Sequence, residues 1–238
     1  MTGAPENVLA VRRREGSGRP VLFIHGFASR ARLDWPDAEW VGPLAGLGRP
    51  SVLVDLPAHG GSPALGALPT SAVIALVAAA AGEREIDVVG YSLGARLAWA
   101  LASSPSVAVR RVVLGGLSPR EPFTAIDLPA ARAALAGGPW PADPLTGMIL
   151  RMATLPGNRS AELLDLVEGL AREPFDPRAD VPSQPTLLIG GEGDPLAAGM
   201  DALAAGLPDV TVARVPGDHL SALHRPEFRA AVLAFLGE

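Results

Sequence analysis

The stretch VVGYSLGARLAW, from Val88 to Trp99, decides the fold of this chain. Its first residues form an apolar, β-branched run typical of a buried strand, and the residues from Leu93 onward have the alanine and leucine content of a helix. Between the two lies Gly-Tyr-Ser-Leu-Gly, with Ser92 at its centre. A serine at such a junction is either a nucleophile held on a tight turn or a helix-capping residue at the end of that turn. The rest of the chain has to distinguish the two.

The composition limits the classes of protein that this chain can form. Its 238 residues, of which 48% are hydrophobic and 19% charged, suit a single α/β domain with a substantial core. There is no cysteine and all 20 basic residues are arginine, which excludes disulfides, thiolate catalysis and lysine Schiff bases. The arginines are scattered and the net charge is −5, so nucleic acid is not an expected partner. The four histidines are too dispersed for a metal site, and no metal or organic cofactor is expected.

The sequence carries no sign of a targeting or membrane segment. The N-terminal stretch MTGAPENVLAVRRREGSGRP lacks the apolar core of a signal peptide. The longest wholly apolar run, AVIALVAAAA from Ala72, is far shorter than a bilayer span and is typical of a helix packed on a sheet. We therefore expect a cytoplasmic protein. The sequence indicates no oligomeric state.

Short β-branched runs alternate with alanine- and leucine-rich stretches, which predicts a mostly parallel sheet with helices on both faces. The predicted strands are Val8–Arg13, Pro20–His25, Ser51–Asp55, Ile86–Tyr91, Arg111–Gly115, Pro185–Gly190 and Val210–Val215. The predicted helices of this alternation are Thr70–Ala81, Leu93–Ser103, Ala197–Gly206 and Pro226–Leu236. The turn sequence EGSGRP favours a hairpin between the first two strands. The triplet Arg12-Arg13-Arg14 is interpreted as part of a solvated edge strand.

One segment interrupts this alternation. From Ser118 to about Val181 no buried strand is predicted, and the helical stretches are Leu128–Ala136, Leu145–Ala153 and Ser160–Glu173. We interpret residues 118–181 as a helical insertion into a core formed by residues 1–117 and 182–238.

A serine nucleophile needs a base and an orienting acid, and both follow predicted strands. Asp194 ends the loop after the strand PTLLIGG, and His219 ends the loop after VTVARV. Because the carboxyl ends of parallel strands share one edge of the sheet, Asp194 and His219 should lie on the same edge as Ser92. The order Ser, Asp, His is that of the triad in α/β-hydrolases.

Each residue of this set has a simpler alternative. Asp194 could cap the helix that starts near Ala197, with Glu192 as the rival acid. His219 could be a loop histidine bonded to backbone. His224 is interpreted as a residue at the start of the next helix.

The motifs FIHGF, DLPAHGGS, GYSLG, GEGD and GDH together resemble the α/β-hydrolase fold superfamily from about Val8 to Leu236. The resemblance implies an eight-stranded sheet with a lid after the sixth strand, which is where the insertion falls. It also implies that the backbone N–H groups of Phe27 and Leu93 form an oxyanion hole and that Gly26 lets the backbone approach the substrate. His25 is then interpreted as structural rather than as a second base. Ala58 departs from the family, whose members often carry Gly there.

Arg96, one helical turn after Ser92, has two interpretations. The first is a structural ion pair. The second follows from the likeness of GYSLGAR, HGF, Trp35 and DLPAHG to 2-succinyl-6-hydroxy-2,4-cyclohexadiene-1-carboxylate synthase, a menaquinone-pathway relative whose arginine binds an anionic substrate. Ala95 departs from that pattern, and Arg120 and Arg132 are only candidates for a second anion-binding arginine.

The remaining candidates concern the substrate. Tyr91 and Trp140 are candidate substrate contacts, and Trp140 could line an apolar acyl pocket together with Met148, Ile149, Leu150 and Met152, although these residues could equally pack on the core. The sequence therefore predicts a serine hydrolase for a carboxylic ester or related acyl bond of a small to medium apolar substrate. The alternatives are a lyase of the menaquinone type with the same triad and a catalytically silent binding protein.

Overall fold

The sheet has seven strands. The computed structural model describes residues 8–82 and 85–237. The strands are β1 (Val11–Arg14), β2 (Val21–Ile24), β3 (Ser51–Val54), β4 (Glu85–Tyr91), β5 (Ala108–Gly115), β6 (Thr186–Gly191) and β7 (Val210–Val215). They lie in the order β1-β3-β2-β4-β5-β6-β7, and every neighbouring pair is parallel except β1 and β3. All seven strands predicted from the residues are confirmed, but the described part of the chain adds no eighth strand to the sheet.

The predicted hairpin between the first two strands is wrong. β1 pairs antiparallel with β3, and β2 lies between β3 and β4. All four residues of β2 are buried, whereas β1 is partly exposed along its whole length. β3 is fully buried as well, and a hairpin of β1 with β2 would leave this apolar strand without its neighbour on one side, so the exposed β1 takes the edge beside β3. The edge position predicted for the arginine triplet is confirmed.

Residues 8–82 and 85–237 form nine α-helices. They are α1 (Ala31–Asp34), α2 (Gly42–Gly46), α3 (Thr70–Ala81), α4 (Leu93–Ala102), α5 (Leu128–Leu135), α6 (Pro144–Ala153), α7 (Ser160–Ala171), α8 (Met200–Ala204) and α9 (Pro226–Gly237). A π-helical turn covers Asp37–Val41, and 3-10 turns cover Phe123–Ala125, Ala197–Gly199 and Ala222–His224. The short helices between β2 and β3 were not predicted, because their glycines and prolines interrupt any helical period.

The sheet separates two apolar layers. Side chains alternate along a strand, so Leu22 and Ile24 of β2 point into one layer while Val21 and Phe23 point into the other. The first layer is covered by α3, α4 and the helices between β5 and β6. The second is covered by α9 and by Trp35 and Trp40 near α1. Both faces of the central strands are therefore buried, as their continuous apolar sequences require.

Between β5 and β6, the described residues form helices and no strand. This segment holds α5, α6 and α7, and the apolar side of α7 is buried in the same layer as α3 and α4. It follows the fifth strand of this sheet, not the sixth as the resemblance implied. The domain boundaries given above stay a prediction.

Across the described residues, no helix is both long enough and apolar enough to cross a membrane.

Candidate active site

Ser92 sits on a strained turn between β4 and α4. Its backbone has φ +53° and ψ −114°, a conformation that residues with a Cβ rarely adopt. The turn is tight enough that a Cβ on Gly90 would lie 2.2 Å from the Gly94 carbonyl oxygen, and one on Gly94 would lie 2.0 Å from that of Ile24. Only glycine fits at these two positions. The flanking glycines therefore let β2, β4 and α4 approach closely enough to expose the serine at the sheet edge.

The predicted acid and base lie beside Ser92 as a hydrogen-bonded chain. His219 Nε2 is 2.9 Å from Ser92 Oγ, and His219 Nδ1 is 2.7 Å from Asp194 Oδ2. Since the buried Asp194 carboxylate can only accept, Nδ1 carries the proton and Nε2 accepts from the serine hydroxyl. This is the arrangement of a nucleophile, its general base and the acid that orients the base.

The alternatives for these residues are also decided by geometry. Asp194 Oδ1 does accept the N–H of Leu196 at 2.8 Å, so one oxygen holds the turn while the other holds His219. The rival acid Glu192 is exposed. His224 is exposed at the end of a 3-10 turn just before α9, as expected for a residue at the start of a helix.

Tyr91 packs against His219 and bonds its backbone. Its hydroxyl donates to the backbone carbonyl of His219 at 2.7 Å, and the two ring centroids are 5.5 Å apart. The phenol is buried, and burial raises the pKa of Tyr91 above its ordinary value. The hydroxyl of Tyr91 is therefore already used by the backbone of His219, and a substrate contact of Tyr91 stays a prediction.

His25 holds the loop after β2, which carries the N–H of Phe27. His25 is fully buried, and its Nδ1 lies 2.7 Å from the carbonyl oxygen of Gly26 while its Nε2 accepts the N–H of Leu56 at 3.0 Å. Because C=O and N–H point in opposite directions across a trans peptide, a ring that holds the Gly26 carbonyl also directs the Phe27 N–H away from itself. Gly26 is next to the nucleophile, since a Cβ there would lie 3.6 Å from Ser92 Cβ.

Two further side chains hold the same loop. Asp34 accepts the N–H of Gly26 at 2.8 Å, and His59 Nε2 accepts the N–H of Ala28 at 2.9 Å. Burial lowers the pKa of His25, and burial together with the neighbouring His25 lowers that of His59 to about 3. Both rings are neutral at pH 7 and act as structural acceptors, as expected for His25. The roles of Asp34 and His59 were not predicted.

Two N–H groups stay free for a ligand. Within residues 8–82 and 85–237, neither the N–H of Phe27 nor that of Leu93 has a hydrogen-bond acceptor. The N–H of Leu93 belongs to the first residue of α4, where the helix dipole favours negative charge. These are the donors that the resemblance implied for an oxyanion hole.

A comparison with protein-family models identifies the family. The model described as the alpha/beta hydrolase family matches residues 21–232. The chain belongs to this family. The matched range includes all three residues of the hydrogen-bonded chain and the loop that carries Phe27. A comparison with curated proteins found no match.

Solved structures share the alpha/beta hydrolase architecture over nearly the whole chain. A hydrolase from Pseudomonas aeruginosa is 23% identical with a TM-score of 0.73, and the alignment covers 97% of this chain and 94% of that one. A thermophilic esterase from Thermogutta terrifontis is 20% identical with a TM-score of 0.75, covering 96% and 92%. An enol-lactonase from Burkholderia xenovorans is 18% identical with a TM-score of 0.73, covering 97% and 96%. At these identities the likeness concerns the fold.

Arg96 lies in a buried ion pair. Its Nη2 is 3.0 Å from Glu121 Oε2 and donates to the carbonyls of Leu170 and Glu173 at 3.0 and 2.9 Å. Its guanidinium lies over the ring of Phe123, 5.3 Å from the centroid. The groove of about 490 Å³ that Arg96 lines contains none of the three triad residues. These contacts of Nη2 fit the interpretation as a structural ion pair, while Nε and Nη1 have no hydrogen-bond partner among the described residues. A substrate contact of Arg96 stays a prediction.

The residues of the insertion that were predicted to contact the substrate do not line the groove beside Arg96. Trp140 is half exposed and lies against Gly147 of α6. Ile149 and Leu150 are buried in the apolar layer beside α7, which fits the packing alternative. Arg132 pairs with Asp165 and Glu168, both at 2.8 Å, and Arg120 is exposed. A substrate contact of Trp140 stays a prediction.

Proposed function

We propose that this alpha/beta hydrolase is a serine hydrolase that cleaves a carboxylic ester, or a related acyl bond, of a small to medium apolar substrate. The observation that carries the proposal is the 2.9 Å separation of Ser92 Oγ and His219 Nε2, with Asp194 2.7 Å from the far side of the ring. A serine hydroxyl is a poor nucleophile at neutral pH unless a base takes its proton. No metal or organic cofactor enters the reaction.

The first half of the reaction forms an acyl-enzyme. His219 Nε2 takes the hydroxyl proton while Ser92 Oγ bonds to the substrate carbonyl carbon. The carbonyl oxygen becomes an oxyanion, which the N–H groups of Phe27 and Leu93 stabilise. When the C–O bond to the leaving group breaks, His219 returns the proton to the departing alkoxide. Asp194 stabilises the transient imidazolium.

The second half regenerates the serine. Water attacks the acyl carbon, and His219 takes one of its protons. The same two N–H groups stabilise the second oxyanion. The bond between Ser92 Oγ and the acyl carbon then breaks, the proton returns to Oγ, and the carboxylic acid leaves. The proton transfers with Ser92 use atoms of Ser92, His219 and Asp194 that are already within hydrogen-bond distance.

The structural neighbours support hydrolase activity in general. They include an esterase, an enol-lactonase and a bromoperoxidase from Bacillus anthracis. The ester substrate is therefore proposed from the geometry of Ser92 and His219 and not from these neighbours. The lyase alternative needs Arg96 to bind an anionic substrate beside the serine. Among the described residues Nε and Nη1 of Arg96 have no hydrogen-bond partner, but the groove that Arg96 lines includes none of the three residues of the hydrogen-bonded chain. We therefore propose the hydrolase.

The test is release of p-nitrophenol from acetyl, butyryl and octanoyl esters. Ser92→Ala should lower kcat by about a thousandfold or more, since the serine, base and acid act as one unit. Ser104→Ala is the matched control, because Ser104 lies just beyond the other end of α4, and it should keep the wild-type rate. Near-normal turnover by Ser92→Ala, or none by the folded wild type, would contradict the proposal.

A further inference from the structure

We propose that Asn158, in the loop between α6 and α7, is a positioning residue for this reaction. Its amide holds the carbonyl of Ala28, and through Ala28 it keeps the N–H of Phe27 directed at the oxyanion. The inference rests on the hydrolase proposed above. It assigns to the helical insertion a direct part in shaping the oxyanion hole.

The residue that Asn158 holds is in a strained conformation. Ala28 has φ +59°, in the left-handed region. A Cβ makes this region unfavourable, and glycine is the residue that adopts it readily. Ala28 directly follows Phe27, so a relaxation of Ala28 to negative φ would turn the Phe27–Ala28 peptide unit, which is the neighbour of the unit that carries the Phe27 N–H. The orientation of that N–H is therefore coupled, through Phe27, to whatever keeps Ala28 left-handed.

Side chains hold Ala28 on both sides of its Cα. Its N–H donates to His59 Nε2 at 2.9 Å, and its carbonyl accepts from Asn158 Nδ2 at 3.0 Å. The same Asn158 nitrogen donates to the carbonyl of Met152 at 3.1 Å. Both partners of that nitrogen are carbonyl oxygens, so the amide nitrogen and not the amide oxygen must face them. The carbonyl of Met152 belongs to α6, which fixes the amide to the insertion.

The loop that carries Asn158 is itself anchored to the core. The guanidinium of the next residue, Arg159, donates to the carbonyl of Ser62. Asn158 thus stands on a supported segment when it bonds Ala28. An oxyanion bonds Phe27 N–H more strongly than the neutral carbonyl of a bound ester does. Loss of Asn158 should therefore affect kcat more than KM.

The first variant removes the amide. In Asn158→Ala we expect kcat for p-nitrophenyl butyrate to fall about three- to tenfold, as for loss of one hydrogen bond, with KM nearly unchanged. Ser160→Ala is the matched control, since it removes a side-chain bond to backbone in the same segment that does not reach the oxyanion loop. It should leave kcat unchanged.

The second variant removes the strain. Glycine adopts positive φ without penalty, so in the Ala28→Gly background the loss of Asn158 should lower kcat by a smaller factor than in the wild-type background. If Asn158 only stabilised the insertion, its loss would lower kcat by the same factor in the Ala28→Gly background and in the wild-type background. This comparison separates positioning from general stability.

A third readout does not depend on turnover. Hydrogen exchange of the Ala28 amide, measured by NMR, should be faster in Asn158→Ala than in wild type and unchanged in Ser160→Ala. An unchanged kcat in Asn158→Ala while Ser92→Ala is inactive would overturn the inference alone. Equal kcat losses in both backgrounds, or an Ala28 amide that exchanges no faster, would also overturn it. A wild type without esterase activity would contradict the proposed function, and the amide exchange would then decide this inference.

Discussion

The Nδ1 atom of His25 lies 2.7 Å from the carbonyl oxygen of Gly26, inside a core where His25 has no exposed surface. The ring therefore fixes the peptide unit that carries the N–H of Phe27. Its other nitrogen accepts the N–H of Leu56 at 3.0 Å, which ties the loop after β2 to the loop after β3. A residue without access to the substrate thus sets the direction of a group proposed to stabilise the transition state.

Replacing His25 should lower activity through this peptide. In His25→Ala we expect kcat to fall about tenfold or more, because loss of one oxyanion donor costs about a hundredfold and the peptide here is released, not removed. The measurement is steady-state hydrolysis of p-nitrophenyl butyrate, with folding checked by circular dichroism. His224→Ala, at an exposed histidine, is the control and should match wild type. A folded His25→Ala with wild-type kcat would contradict this role.

The buried histidines should make stability depend on pH. The pKa of His59 is lowered to about 3, whereas an unfolded histidine titrates near its ordinary value of 6.5. Between these values the unfolded chain binds a proton that the folded chain does not. The free energy of unfolding should therefore fall as pH falls below 6.5, by about 1.4 kcal/mol per pH unit for this residue.

The measurement is urea unfolding of wild type and His59→Gln at pH 7 and pH 5. Glutamine does not titrate, so the variant should lose less stability than wild type between the two pH values, by about 2 kcal/mol. The difference between the proteins removes the contribution of carboxyl groups common to both. Identical losses would show that folding does not lower the pKa of His59.

Tyr91 should contribute to the position of the catalytic base. In Tyr91→Phe the ring still packs beside His219, but the hydrogen bond to the His219 carbonyl is lost. We expect kcat to fall about two- to tenfold with little change in KM, because the lost bond holds the base and does not face the substrate. The kcat and KM values for p-nitrophenyl butyrate measure this. A large rise in KM alone would instead indicate that Tyr91 contacts the substrate.

The ion pair of Arg96 and Glu121 should matter for stability. Arg96→Met leaves the mostly buried Glu121 carboxylate without its counter-charge and should lower the free energy of unfolding by about 3 kcal/mol. Arg96→Met combined with Glu121→Gln should be less destabilised than the single variant. Urea unfolding measures both, and KM for a neutral ester should stay unchanged. A raised KM with unchanged stability would favour a substrate contact.

The local sequence was enough to predict the strands of the sheet and the edge at which the three candidate residues meet. Each strand is a short β-branched run, and Ser92, Asp194 and His219 follow their strands directly, so topology alone brings them to one edge. The hairpin failed because the choice of neighbour for β1 depends on burial across the sheet and not on the turn that follows it.

The side chains that hold the loop of Phe27 could not be predicted in the same way. Asp34, His59 and Asn158 act on the oxyanion loop through contacts between residues far apart in the chain, and no local pattern marks them. One signal was available. Ala58, where relatives often carry Gly, has φ +65° beside His59, so the departure from the family marked a strained loop next to the site.

The most direct test of the central claim is covalent labelling of the protein by a fluorophosphonate, followed by intact mass spectrometry and peptide mapping. The phosphonate reacts only with an activated serine, and it needs the base that activates it. We predict a single adduct on the peptide that contains Ser92, with labelling abolished in Ser92→Ala and strongly slowed in His219→Ala. No adduct on the folded wild type, or an adduct that persists in Ser92→Ala, would contradict the account.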